Sequence, residues 1–183
     1  IVKTEKNNIL SIKIAFKRYY MKTLVLIRHG KSSWEHPVSD IHRPLKSRGI
    51  SDAKLVCDAF LRADFQPDLV VTSPAKRAHD ICMIFTNKME ISTKKIQINP
   101  TIYDFEGSKT ADFIKSLDES YQKVMLFGHN YAFTSLVNRF GNRYIDNLPT
   151  SGLVMINFDI DSWADIKKGT TELMILPRDL KNK

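Results

Sequence analysis

Three unbroken apolar runs punctuate the chain, at Leu24 to Ile27, Leu69 to Val71 and Val124 to Phe127. A continuous rather than alternating run suits a strand covered on both faces, as in a parallel sheet. Between the runs the period changes to that of a helix. Ile50, Ala53, Cys57, Phe60 and Leu61 predict a helix over 47–63. Ala78, Ile81, Cys82, Phe85 and Met89 predict a second, introduced by Thr72, Ser73 and Pro74 as a hydroxyl cap with proline in the first turn. Phe113, Ile114 and Leu117 predict a third over 110–121, and Phe133, Leu136, Val137 and Phe140 a fourth that Gly141 stops. Short strands are expected at 96–98, 153–158 and 172–176. Residues 31–43 lack a period and hold Pro37, Ser39 and Asp40, so they read as a loop. Strands alternating with helices predict a three-layer α/β/α sandwich with a mostly parallel central sheet and helices on both faces.

Composition narrows the class without changing that picture. At 183 residues, 43 % hydrophobic and 26 % charged, the chain is long enough for one domain with a proper core. Its apolar runs are too short to span a bilayer, and the front lacks the apolar core of a secretory signal, which makes the cytoplasm the expected location. Cys57 and Cys82 fall at apolar positions of the expected helices and read as reduced core residues.

The net charge of +8 is uneven. Residues 1–20 carry five cations against Glu5 alone, half of the excess. This leader precedes Met21, which reads as the natural start; the leader is then an upstream extension or mobile tail, and residues 21–183 form the single domain. A basic arm for nucleic acid or membrane is the sharper alternative, but five cations without a strong apolar face give it little support, so neither partner is expected.

Chemistry enters where the apolar runs end. The first run stops at Arg28, His29 and Gly30, the second leads to Arg77 through the following helix turn, and the third stops at Gly128, His129 and Asn130. Arg28 and His29 also fit the start of an ordinary polar loop; three strand ends that deliver cations together favour a cationic cup. Open parallel sheets bind ligands at the carboxyl ends of their strands. Two guanidiniums match a phosphate bidentately, and a helix amino terminus beside Arg77 adds donors. The ligand implied is a tetrahedral oxyanion, with phosphate the expected one. With no Walker loop and no metal-ligand spacing, chemistry without metal or cofactor is expected. One neutral imidazole can attack phosphorus while a second, protonated, stabilises the equatorial oxygens. The charges of Arg28 and Arg77 favour the neutral form of His29.

Leu26 to Gly30, Thr72 to Ala78 and Phe127 to Asn130 together resemble the histidine phosphatase superfamily, of phosphoglycerate mutase-like fold. The segment from Arg43 to Gly49 resembles its SixA-like phosphohistidine phosphatase branch, and the likeness runs from Met21 to about Pro177. The resemblance implies that His29 is the nucleophile that is transiently phosphorylated. Arg28 and Arg77 then bind phosphate, His129 completes the pocket and Arg43 assists. It further implies an acid for the leaving group, for which Asp104 is the nearest match and Glu106 the second. The family pattern has glutamate where this chain has Asp104.

A weak or absent acid bears on the substrate. An alkoxide needs a proton to leave, whereas phosphorylated imidazole has a far better leaving group. The expected substrate is therefore phosphohistidine in a protein, which an open cup with short connections admits. A small phosphate ester is the alternative within the same chemistry, and a non-catalytic phosphate-binding module the alternative outside it. A mutase fits less well, since it wants a closed site. Trp34 reads either as a substrate platform or, more commonly, as an anchor of its own loop. His36, His42 and His79 read as solvated, and Asp159, Asp161 and Asp165 as a solvated turn rather than a calcium loop.

Overall fold

The computed structural model describes residues 21–35 and 37–181; the leader 1–20 and His36 lie outside the described residues. Six strands form one sheet in the order β3-β2-β4-β1-β5-β6. They are β1 (Met21–Arg28), β2 (Leu69–Thr72), β3 (Ile96–Ile98), β4 (Lys123–Gly128), β5 (Leu153–Asp159) and β6 (Thr170–Ile175). The first four are mutually parallel; β5 runs antiparallel to β1, and β6 antiparallel to β5.

The apolar runs are continuous because each strand feeds two cores. Leu24 and Leu26 of β1, with Val124 and Leu126 of β4, pack on the face covered by α3 (Ser108–Lys115) and α4 (Ala132–Phe140). Val25 and Ile27, with Met125 and Phe127, pack on the opposite face under α1 (Ser47–Phe60) and α2 (Lys76–Lys88). Each fully buried Leu, Ile or Phe of this kind contributes about 1.5–3 kcal/mol of transfer free energy. Cys57 and Cys82 lie in the second core as free thiols, pushed by burial up to about 11 and about 12. A short α5 (Pro177–Lys181) follows β6.

This topology positions the site. From β1 the chain crosses β4 to reach β2, and from β4 it crosses β1 to reach β5, so connections diverge where β1 and β4 lie side by side. In register, Ile27 pairs Phe127 and Arg28 pairs Gly128, which leaves His29 and His129 next along adjacent strands. That is the switch point at which such sheets open a crevice.

Four details depart from the sequence expectations. Ile50 and Leu61, expected on the buried face of α1, are 38 % and 44 % exposed. The buried stripe follows Gly49, Ala53, Val56 and Phe60, and at 100° per residue both outliers sit about a quarter turn from its centre. The third helix covers Ser108–Lys115 rather than 110–121, because Ser116 caps it and Asp118 then accepts from Ser120 N–H in a separate turn. Phe113 is consequently only partly buried. The second helix starts at Lys76 with Ala75 as its N-cap residue; the Ser73 hydroxyl, two residues earlier, accepts from the Ala75 N–H at 3.2 Å rather than from a residue inside the helix.

Candidate active site

Arg28 ends β1, and its Nη1 donates to the Leu148 carbonyl at 2.5 Å and to Asn147 Oδ1 at 3.3 Å. His29 follows, with Nδ1 2.8 Å from the Gly30 carbonyl oxygen. A carbonyl only accepts, so the ring proton resides on Nδ1 and Nε2 keeps its lone pair. Burial, with the charges of Arg77, Arg28 and Arg43 behind it, lowers the His29 pKa to about 4 despite the bond to Gly30. The imidazole is neutral at pH 7. The loop beyond it is clamped: a Cβ on Gly49 would run into the Lys31 carbonyl oxygen, and one on Gly30 would come within 2.9 Å of Ile81.

Arg77 reaches the same place from the first turn of α2 and is 2 % exposed. Its Nη1 donates to the Asp40 carbonyl at 2.6 Å and its Nη2 to Asp40 Oδ2 at 2.8 Å. Asp40 also accepts from Arg43 Nη1 at 2.8 Å and from the Tyr103 hydroxyl at 2.5 Å. Partial burial works against ionisation of Asp40, but the bonds from Tyr103, Arg43 and Arg77 prevail and bring its pKa down to about 2. Arg43 is held further by Ser33 O and Ser32 Oγ, and its guanidinium lies 3.3 Å above the Trp34 ring. Trp34 is 73 % exposed and makes this stacking contact within its own loop.

His129 lies beneath these groups and is fully buried. Arg77 Nη2 is 3.4 Å from His129 Nδ1 and can only donate, which leaves the proton on Nε2; that N–H donates to Ser73 Oγ at 2.8 Å. The ring is packed among His29, Tyr103 and Phe105 at centroid distances of 5.1, 5.2 and 5.0 Å. Burial, then the neighbouring His29 and Arg77, lowers its pKa to about 3. The protonated second histidine expected from the sequence is therefore neutral in the free cup. Ser73, expected at the helix start, is its partner and also accepts from the Ala75 N–H at 3.2 Å.

The cup above is a cavity of about 360 Å³ whose lining includes Arg28, His29, Lys31, Asp40, Arg43 and Arg77. Four cations face one carboxylate there, a balance that attracts a multiply charged anion. Neither Asp104 nor Glu106 joins the lining. Asp104 is 6 % exposed and turns the other way: Oδ2 accepts from Thr110 N and Thr110 Oγ1 at 3.0 Å, and Oδ1 from Glu106 N at 3.1 Å. Burial alone would raise its pKa, but these bonds lower it. The Asp104 carboxylate is thus an ionised brace for the start of α3 and holds no proton to donate, which corrects its reading as the acid. Glu106 is exposed. The sequence reading missed Asp40, Tyr103, Ser73 and Asn147. Only Asp40, three residues before Arg43, left a local trace.

The pattern of the histidine phosphatase superfamily, branch 1, matches residues 24–144. An uncharacterized chloroplastic protein of Arabidopsis thaliana is 22 % identical over 153 residues, 79 % of this chain and 70 % of the relative. Among solved structures, one assigned as the phosphohistidine phosphatase SixA of Agrobacterium tumefaciens superposes with a TM-score of 0.71 at 20 % identity, covering 85 % of this chain and 98 % of that one. The protein histidine phosphatase SixA complexed with tungstate gives 0.74 at 18 %, covering 86 % and 99 %. A structure assigned as an α-ribazole-5′-P phosphatase of Escherichia coli gives 0.61 at 17 %, covering 84 % and 95 %. The structures agree on the fold, and the family match takes in most of β1 and the residues Arg28, His29, Arg43, Arg77 and His129: this chain belongs to branch 1 of the histidine phosphatase superfamily and is a phosphatase of SixA-like fold.

Proposed function

We propose that this phosphatase takes a phosphoryl group onto His29 Nε2 and passes it to water, and that its substrate is phosphohistidine in a protein. The Nε2 lone pair attacks phosphorus while Arg28, Arg77 and Arg43 bind the phosphoryl oxygens. The bond from phosphorus to the substrate imidazole nitrogen breaks, and its electron pair stays on that nitrogen. Water then attacks the phosphorylated His29, releases inorganic phosphate and restores the free imidazole. For Arg77 to engage phosphate, the anion replaces part of what Asp40 supplies in the free cup. A dianion beside His129 opposes the arginine charges that depress its pKa, and so favours the imidazolium that stabilises the transferring group.

The observation that carries the substrate reading is the absence, among the described residues lining the cup, of a carboxyl group held protonated. The one carboxylate there, Asp40, has a pKa of about 2 and three donors upon it. A general acid typically supplies 10²–10⁴ in rate to a poor leaving group. A cup without one suits an imidazole leaving group better than an alkoxide. The tungstate in the SixA neighbour is a tetrahedral oxyanion, in keeping with phosphate as the bound group.

The test compares kcat/KM on a histidine-phosphorylated carrier protein with that on sugar and nucleotide phosphates. The phosphoprotein should be preferred by at least about 10², the factor a missing acid forfeits. Equal or better turnover of the esters contradicts the substrate reading and favours the chemistry that the α-ribazole-5′-P phosphatase name carries.

A further inference from the structure

Arg28 is held differently from the other arginines of the cup. Arg43 and Arg77 are ion-paired with Asp40, whereas Arg28 has no carboxylate partner among the described residues. Its Nη1 is spent instead on two neutral acceptors, the Leu148 carbonyl and Asn147 Oδ1, in the strap 147–152 that leads into β5. Burial accordingly holds its pKa below the ordinary arginine value. A guanidinium held by neutral groups keeps its charge for an incoming anion, but its aim is only as good as the placement of the strap.

The first turn of α4 places the strap. Thr134 Oγ1 accepts from the Leu148 N–H at 2.9 Å and donates to Asn130 Oδ1 at 2.6 Å. Asn130 Oδ1 also faces the Thr134 N–H at 3.3 Å, which fixes the amide so that its Nδ2 donates to Asn147 Oδ1 at 2.6 Å. Arg28 Nη1, bonded to both Leu148 and Asn147, closes the ring. Thr134 is its pivot: one buried hydroxyl serves as acceptor for the strap and donor to Asn130. The far end of the strap fastens the backbone instead. Ser151 N–H bonds the Arg28 and His29 carbonyls and the Arg28 N–H donates to the Gly152 carbonyl. Ser151 holds a left-handed φ of 60° there, a conformation that persists only where surrounding bonds fix it. Arg28 is thus fixed at its backbone by one end of the strap and at its guanidinium by the other, and Thr134 bonds only the second. Asn130, Thr134 and Asn147 do not line the cup.

We propose that Thr134 is the positioning residue for Arg28: through Leu148 directly, and through Asn130 and Asn147, it aims the guanidinium at the phosphoryl oxygens without touching the substrate. This rests on the reading of Arg28 as a ligand of the phosphoryl group and adds what sets its aim. Without the hydroxyl, the Leu148 N–H and the Asn130 amide each lose a partner at a place where water is excluded, and both must turn to find another. The Leu148 carbonyl and Asn147 Oδ1 turn with them, and Arg28 follows.

A double-mutant cycle on the full chain tests it, with inorganic phosphate as the titrant in calorimetry. Thr134→Val, which keeps the shape and removes the hydroxyl, should raise the phosphate Kd about tenfold, the effect of one misplaced charge-assisted hydrogen bond. Thr134→Ser keeps the hydroxyl and should stay within about twofold of the parent. In an Arg28→Ala background Thr134→Val should add nothing, because its effect passes through Arg28. A purely structural role for Thr134 would not vanish there. An unchanged Kd in Thr134→Val overturns the proposal, as does an equal loss in Thr134→Ser or a loss that persists in the Arg28→Ala background. Should Thr134→Val fail to fold, Asn147→Ala at an exposed position decides: a raised Kd that disappears in the Arg28→Ala background supports the ring, and an unchanged Kd overturns it. An Arg28→Ala enzyme that binds phosphate as tightly as the parent overturns the reading of Arg28 itself, and the positioning role with it.

Discussion

Lowering the pH should leave His29 uncharged long after an ordinary histidine has gained its proton. At pH 5.5 a histidine of ordinary pKa is about 90 % protonated, whereas one at about 4 is only about 3 % protonated. Because the neutral ring is the nucleophile, the two cases differ about tenfold in active enzyme at that pH. The titration is read directly from the ring C2 proton of His29 by NMR, assigned by its loss in His29→Ala. The rate of phosphoenzyme formation is read alongside it. The midpoint should fall near 4, with a rate nearly flat from about pH 7.5 to about pH 5. Arg77→Gln should move the midpoint only part of the way back, since burial is the larger cause and remains. A midpoint near 6.5, with a rate already falling at pH 6, would refute the picture of a desolvated, arginine-flanked nucleophile.

Three other outcomes follow from the same structure. Asp104→Asn should lower stability by about 1 kcal/mol, as for a lost helix-end brace, and leave kcat within a few-fold of the parent; a fall of 10² or more on a phosphoprotein would restore Asp104 as the acid. Gly49→Ala should cost about 1–3 kcal/mol in chemical denaturation by overpacking the loop after His29, and should slow turnover as well; a neutral substitution would mean that the Lys31 backbone yields freely. His29 at about 4 and His129 at about 3 both lie below the ordinary histidine value, so over the acid side of neutrality the unfolded chain binds more protons than the folded one. Stability should therefore be complete above about pH 6.5 and fall as pH drops through about 6.5 toward 3, and an unfolding midpoint that stays flat in that window contradicts the assignment.

The residues legible in the sequence were those that interrupt a pattern. Arg28, His29 and His129 stand where apolar strands stop, and a parallel sheet carries adjacent strand ends to one edge, so their convergence required no distant information. Arg77 was legible from its place after β2. Asp40 left only its spacing, three residues before Arg43, which by itself does not separate it from any loop aspartate. Its importance arises from partners 37 and 63 residues away, Arg77 and Tyr103. Asp104 and Tyr103 show the converse error. The carboxylate suggested chemistry, but the chain turns it onto the start of α3, and it is its neighbour Tyr103 that bonds the cup's Asp40. Ser73 keeps its local use, accepting from the Ala75 N–H, and also holds His129, a partner 56 residues away that its position before the helix does not reveal. Hydroxyls and carboxylates have several local uses, and which one prevails depends on neighbours that the sequence spacing does not reveal.

In the proposed reaction the phosphoryl group passes through His29. The most direct measurement quenches the enzyme under alkaline conditions during turnover of a histidine-phosphorylated carrier protein and maps the modified peptide by mass spectrometry. Acid-labile, base-stable phosphate should appear on the peptide holding His29 and be absent from His29→Ala, which should have no turnover. Phosphate on any other residue, or turnover that survives His29→Ala, contradicts the claim.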